Sequence, residues 1–164
     1  LKFFPFIKEA VSFGHKKDYV SAFICIDIEA VGNWAERHNL AYSGYTDLSA
    51  RSEVYNLLQE CVETVNSDLA CDEKLSGSQI KRFLLLHKEL DADDGELTRT
   101  RKVRRRIVAE KYDVLINALD DPKQTHCEIE AEMTFEDGRT GIVRADLQIL
   151  EAERHETQIN THAA

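Results

Sequence analysis

AVSFGHKKDYVSAFICID, residues 10–27, holds two apolar runs on either side of a polar turn. Ala10–Gly14 reads as a short strand. Tyr19–Asp27, rich in Val, Ile and Phe, reads as a buried strand, because branched and aromatic side chains suit a pleated surface covered on both faces. Gly14–Asp18 (GHKKD) carries the turn, so the two strands predict a hairpin. Asp27 then offers a side-chain oxygen to the first free amides of a helix, although Ala30 in place of Glu leaves the capping box incomplete. Val31, Trp34, Ala35 and His38 give that helix its apolar stripe, with His38 at its end as a structural or partly exposed histidine.

Outward from this core the pattern continues as α+β. Asn39–Thr46 is a turn-rich connection. From about Ser49, the residues Val54, Leu57, Leu58, Cys61, Val62, Val65 and Leu69 hold helical spacing for a long amphipathic helix. Asp72–Ser78 is a loop. Ile80–His87 (IKRFLLLH) predicts a third strand, with Phe83–Leu86 covered on both faces and His87 at its end. A helix is expected from Lys102 to Leu119, buried along Ile107, Val108, Tyr112, Leu115 and Leu119 and stopped at Asp121–Pro122. The tail alternates Ile129, Ala131, Met133 and Phe135 with polar residues. It then alternates Val143, Ala145, Leu147 and Ile149 in the same way, around Asp137–Gly138. That is a two-stranded hairpin needing something to pack on: this domain, another domain or another subunit. Little order is expected after Ala152. The expected fold class is therefore α+β, a small mixed sheet with packed helices and an appended C-terminal hairpin. The segments are 1–120 for the domain, 121–152 for the hairpin and 153–164 for a disordered tail.

A chain of 164 residues, 43% hydrophobic and 31% charged, can bury a core without staples. No apolar run approaches the ~20 residues of a membrane span. Lys2 and the Phe3–Phe6 cluster lead into no long apolar stretch, so no signal peptide is expected. The chain opens without Met and in mid-pattern, which predicts a piece of a longer polypeptide. Net charge −9 argues against a general nucleic-acid binder. Cys25, Cys61, Cys71 and Cys127 form no CxxC pair and no metal-ligand spacing with the six His, so they read as free thiols in a reducing, cytoplasmic setting.

One segment stands apart. In DADDGELTRTRKVRRR (residues 91–106), Asp91, Asp93, Asp94 and Glu96 precede six bases, with Gly95 allowing a turn between them. Bases at a helix start oppose its dipole, so the simplest reading is a solvated loop that costs a little stability. A second reading is a phosphate-neutralising patch, though no aromatic residue interleaves the bases. A third is an anion site that handles nucleotide phosphates. On the residues alone all three stay open. Asp94 and Glu96 read as turn and loop residues; Trp34 and Tyr112 read as core.

The string Gly95-Glu96-Leu97-Thr98-x-Thr100-x-Lys102-x-x-Arg105-Arg106 resembles the C-terminal catalytic signature of the adenylate-forming superfamily. Within it, the long-chain fatty-acid–CoA ligases are the most similar group. Their Thr, followed four residues later by an invariant Lys, corresponds to Thr98 and Lys102. FIKEAVSFGHKKDYVSAFICID resembles the family's segment just past the domain hinge, and IKRFLLLHKELDADDGELT its approach to the lysine loop. The likeness covers about Leu1 to Leu119. The family often has Pro where Arg99 stands and Gly where Arg101 stands, so this loop is more cationic.

The resemblance implies the C-terminal lid of an AMP-forming acyl-CoA synthetase. Such an enzyme joins a fatty acid to the α-phosphate of ATP, releases pyrophosphate and then transfers the acyl group to CoA. Lys102 would be the adenylation lysine, neutralising carboxylate and phosphate as they meet. Thr98, Thr100 and Arg104 would touch substrate. ATP, Mg²⁺ and CoA would be substrates and cofactor of the whole enzyme. The partner would be an N-terminal nucleotide-binding domain of the same polypeptide, with no nucleic acid and at most peripheral membrane contact. A phosphate loop, a Mg²⁺-holding acidic residue and an adenine pocket are not found in this chain, so it is expected to be inactive alone. The alternative is a stand-alone binding module using Arg99–Arg106 for nucleic acid or an acidic partner.

Overall fold

The computed structural model describes residues 1–134 and 139–157. Its centre is a five-stranded mixed sheet in the order β1-β2-β3-β5-β4. Strands β1 (Ile7–Phe13) and β2 (Val20–Ile26) form the hairpin expected from residues 10–27, paired antiparallel with a register shift between Ile7 and Glu9. Lys16 takes φ 58° in the turn. Strand β3 (Ile80–Leu85) runs parallel to β2, and a parallel neighbour needs a long crossover. Three helices supply it: α1 (Ile28–Arg37), α2 (Tyr45–Ala50) and α3 (Ser52–Ala70).

Alternation along the central strands makes two cores. Ala22, Ile24 and Ile26 of β2 and Phe83 and Leu85 of β3 face α1, α2 and α3, whose Val31, Ala35, Leu48, Val54, Leu58 and Val62 complete one cluster. Phe23 and Cys25, with Leu84 and Leu86, face the other way. They meet α4 (Arg105–Lys111) and α5 (Asp113–Asp120) through Val108, Tyr112, Leu115 and Leu119. Both faces being covered explains why these strands read as continuous apolar runs.

Asp27 caps α1 as expected, accepting from the amides of Glu29 and Ala30 at 3.1 and 3.0 Å. The connection around Tyr45 differs from expectation, because it contains α2, and Arg51, with ψ 134°, separates that helix from α3. On α3 the buried face carries a polar residue. The Asn66 side chain donates to the carbonyls of Ile80 and Glu153 and accepts from the Ile80 amide, each at 2.8 Å. It thereby serves the start of β3 as a strand partner would.

The helix expected over 102–119 is shorter and broken. Arg101 adopts φ 59° and Val103 pairs across to Leu97, so helical geometry begins only at Arg105. Tyr112 leaves helical angles at φ −112°, ψ 30° and divides α4 from α5. At the end of α5, the guanidinium of Arg82, 1% exposed on β3, donates to the carbonyls of Ala118 (3.1 Å), Leu119 (2.8 Å), Asp121 and Gln124.

The C-terminal hairpin is β4 (His126–Thr134) with β5 (Thr140–Glu151). Its packing partner is this domain. Glu151, Leu150 and Ile149 pair with Arg82, Phe83 and Leu84 of β3, and Leu147 and Ile149 enter the core beneath α4 and α5. Residues 1–120 and 121–152 thus share one sheet. Just beyond Ala152 the Glu63 carboxylate and the Gln79 side chain accept from the amides of Glu153 and His155 at 3.2 and 2.7 Å. The expected turn at Asp137–Gly138, the strand residue Phe135 and tail residues 158–164 lie outside the described residues. No described helix is long and apolar enough to cross a membrane.

Candidate functional site

The segment that leaves β3 is built in two turns. Asp91 opens the first: its Oδ1 accepts from the Asp93 amide at 2.7 Å, and its carbonyl accepts from the amides of Glu96 and Leu97. Gly95 sits there at φ 73°, a left-handed conformation that glycine adopts without a Cβ penalty. The second turn spans Leu97 to Val103, which bridge as antiparallel partners. Thr98 closes it twice. Its amide donates to the Lys102 carbonyl at 2.8 Å and its hydroxyl accepts from the Lys102 amide at 3.1 Å. The Thr100 hydroxyl lies 3.0 Å from that of Thr98. The Arg104 amide, donating to the Glu96 carbonyl at 2.8 Å, ties the outgoing stem to the incoming one.

This geometry gathers the residues singled out in the sequence. Thr98, Thr100 and Lys102 share one turn, and Arg104 follows directly. The spacing of four between Thr98 and Lys102 is the spacing that closes the turn. Lys102 and Arg104 are exposed, as are Arg99 and Arg101, and among the described residues none of the four forms an ion pair. The neighbouring bases are occupied: Arg105 donates to the Ser12 carbonyl at 2.9 Å and Arg106 pairs with Glu110 at 2.8 Å. A cleft of about 290 Å³ at the foot of the turn is lined in part by Lys2, Lys8, Glu9, Leu97 and Arg101. Among the described residues no three His, Cys, Asp or Glu come together as a metal set.

Beneath the turn lies a cluster that sequence reading missed. Glu96, expected to be a loop residue, is 0% exposed. Its carboxylate accepts from Lys88 Nζ (3.0 Å), Lys111 Nζ (2.8 Å), the Tyr112 hydroxyl (2.6 Å) and the Asp91 amide (2.9 Å). Asp94, also expected to be a turn residue, pairs with Lys88 and lies 3.6 Å from Lys111. Burial pushes the Glu96 carboxyl up, but its four donors outweigh that and hold it below the usual range. The hydrogen bond from Lys88 holds Asp94 down as well. Lys88 is held above its ordinary value, because the two carboxylates overcome its desolvation. Tyr112 is pushed up by burial and by its bond to Glu96. Partners this far apart in sequence leave no periodic signal, and the acids of 91–96 look alike on the page.

The remaining candidates fall elsewhere. His87 is buried at 1% exposure, its ring 6.4 Å from that of Tyr112, with neither nitrogen hydrogen-bonded among the described residues. His38 caps α1 across the sheet, stacked on Trp34 with ring centroids 4.3 Å apart. Trp34 is partly rather than fully buried.

The chain is similar to known proteins over most of its length. The chain is 32% identical over 120 residues, 73% of its length, to the long-chain-fatty-acid–CoA ligase FadD15 of Mycobacterium tuberculosis, and equally to that of Mycobacterium bovis. It spans about a fifth (19%) of those proteins. Among solved structures it is similar to an A-PCP didomain of a carboxylic acid reductase from Segniliparus rugosus in complex with AMP. There the identity is 16% and the TM-score 0.47, over 70% of this chain and 14% of that one. The adenylation domain of a carboxylate reductase from Mycobacterium chelonae gives 18% identity and TM-score 0.47, over 70% of this chain and 16% of that one. No family model matches the chain.

Proposed function

From a chain homologous to one segment of the long-chain-fatty-acid–CoA ligases, we propose that this domain is the C-terminal lid of such an enzyme. In this reading residues 1–120 are the lid and 121–152 an addition to its sheet. The rest of the polypeptide holds the nucleotide, the fatty acid and Mg²⁺. The full reaction takes ATP, fatty acid and CoA to acyl-CoA, AMP and pyrophosphate in the cytoplasm.

The observation that carries the reading is the turn itself. Thr98 fixes the main chain of Lys102 through both its amide and its hydroxyl, and leaves the ammonium exposed and without a carboxylate partner among the described residues. A fixed backbone with an uncommitted cation suits a group that must enter a second domain and meet anions there. During adenylation a carboxylate and the α-phosphate come together while charge grows on the phosphoryl oxygens. An ammonium placed between them lowers that repulsion and holds the two in line. Arg104, Thr98 and Thr100 stand near enough in the chain to share the phosphate side. Withdrawal of the lid would then clear Lys102 from the site for attack by CoA, a motion able to gate turnover.

The same unpaired cations favour one other reading, a stand-alone module for nucleic acid or an acidic partner. The two separate in one experiment. The chain alone and the polypeptide carrying it with its nucleotide-binding domain are assayed for fatty-acid-dependent pyrophosphate release and for oligonucleotide binding at two salt concentrations. The lid reading predicts pyrophosphate release from the long polypeptide alone and no salt-sensitive oligonucleotide binding by either. Tight, salt-sensitive binding by the chain alone, with no release from the long form, would replace it.

A further inference from the structure

A fully buried carboxylate at the root of a polar loop is costly, and an apolar side chain of similar shape is often as stable or better. Glu96 is kept instead, with each oxygen serving two donors. Lys111 Nζ and the Tyr112 hydroxyl meet Oε1, and Lys88 Nζ and the Asp91 amide meet Oε2. These donors come from the exit of β3, the acidic turn, the end of α4 and the break before α5. The main chain of Glu96 joins the stems as well, donating to Asp91 and accepting from Arg104. One residue therefore ties every segment from which the 97–103 turn rises.

The turn needs such a root. Arg99, Arg101 and Lys102 on the turn and Arg104 on its outgoing stem crowd four like charges together with no ion pair among the described residues. Their mutual repulsion favours an open, spread loop. Against it stand the hydrogen bonds around Thr98, the Leu97–Val103 bridge and the Glu96 cluster.

We propose that Glu96 is a positioning residue for Lys102: its buried carboxylate, gripped by Lys88, Lys111 and Tyr112, sets where the turn carries the lysine ammonium. This rests on the reading of Lys102 as the adenylation lysine. It concerns geometry and not contact with substrate, so the effect is confined to the step in which Lys102 is used.

The test compares Glu96→Gln, Tyr112→Phe and Lys102→Ala in the polypeptide that carries this domain with its nucleotide-binding domain. Glu96→Gln keeps shape and loses charge; Tyr112→Phe removes one donor, keeps the ring in the core and carries the decision if Glu96→Gln does not fold. Three quantities are read: kcat and KM for ATP in pyrophosphate release, thioester formation from supplied acyl-adenylate and CoA, and the melting midpoint. Misplacing a reacting group by about 1 Å can cost up to ~100-fold, so Glu96→Gln is expected to lower kcat for pyrophosphate release by at least ~10-fold. KM for ATP and the thioester step should hold, and Tyr112→Phe should follow in the same direction. If both clamp variants release pyrophosphate at the unaltered rate while Lys102→Ala does not, Glu96 does not position the lysine. If both half-reactions fall together with the melting midpoint, the cluster is structural only. If Lys102→Ala is without effect, the reading of Lys102 falls and the positioning role with it.

Discussion

His87 ends β3 with both ring nitrogens shut from solvent and unbonded among the described residues, and burial pushes its pKa down from 6.5 to about 4. The unfolded chain takes up a proton on this ring near pH 6.5, whereas the folded chain resists until about pH 4. Its contribution is therefore complete above 6.5 and lost as pH falls through that window. Between pH 6.5 and 5 the loss should be about 2 kcal/mol. Urea midpoints measured across this range should fall in the natural protein and stay nearly level in His87→Leu. A parallel fall in both would clear His87 of the effect. Glu96 and Asp94 act lower on the scale. Their depressed pKa values contribute stability at neutral pH that is lost once pH drops below the ordinary carboxylate range. Glu96→Ala, leaving the buried Lys88 ammonium short of a partner and freeing the partly exposed Lys111, should cost about 3–5 kcal/mol by urea unfolding at pH 7. A loss under about 1 kcal/mol would mean that water reaches the cluster freely. Sequence reading singled out Lys102 because the residues around it resemble a family signature. It passed over Glu96 because only the fold brings Lys88, Lys111 and Tyr112 to it.

At the scale of elements, strands were the most legible part. Phe83 and Leu84 are apolar on successive positions, as a strand covered on both faces requires, and both are 0% exposed. The helix expected from Lys102 failed at its start because Arg101 and the Leu97–Val103 bridge shape a turn there, and the apolar stripe of Ile107 to Leu119 carries no mark of the break at Tyr112. Arg82 was equally hidden, a cation inside a strand pattern. It closes the C-terminal end of α5 and the turn towards β4, where free carbonyls gather. Arg82→Met should strand those carbonyls and cost at least about 3 kcal/mol, read as a lowered urea midpoint. An unchanged midpoint would show that the carbonyls find water instead.

The molecule as a whole joins its segments through one sheet. Because β5 pairs with β3 and lies in the same core as α4 and α5, the tail hairpin should unfold with the rest. Trp34 fluorescence, reporting the α1 side, and far-ultraviolet dichroism should give coincident urea transitions. Two separated transitions would make 121–152 an independent unit. The bulk charge of −9 contrasts with the four exposed cations Arg99, Arg101, Lys102 and Arg104, and that contrast suits a domain that presents one cationic point to an anionic site. The most direct test of that account takes the polypeptide containing this domain with Lys102→Ala and measures the two half-reactions in single turnover. The account predicts loss of fatty-acid-dependent pyrophosphate release by at least ~100-fold, with thioester formation from supplied acyl-adenylate and CoA largely kept. Pyrophosphate release at the unaltered rate would contradict it.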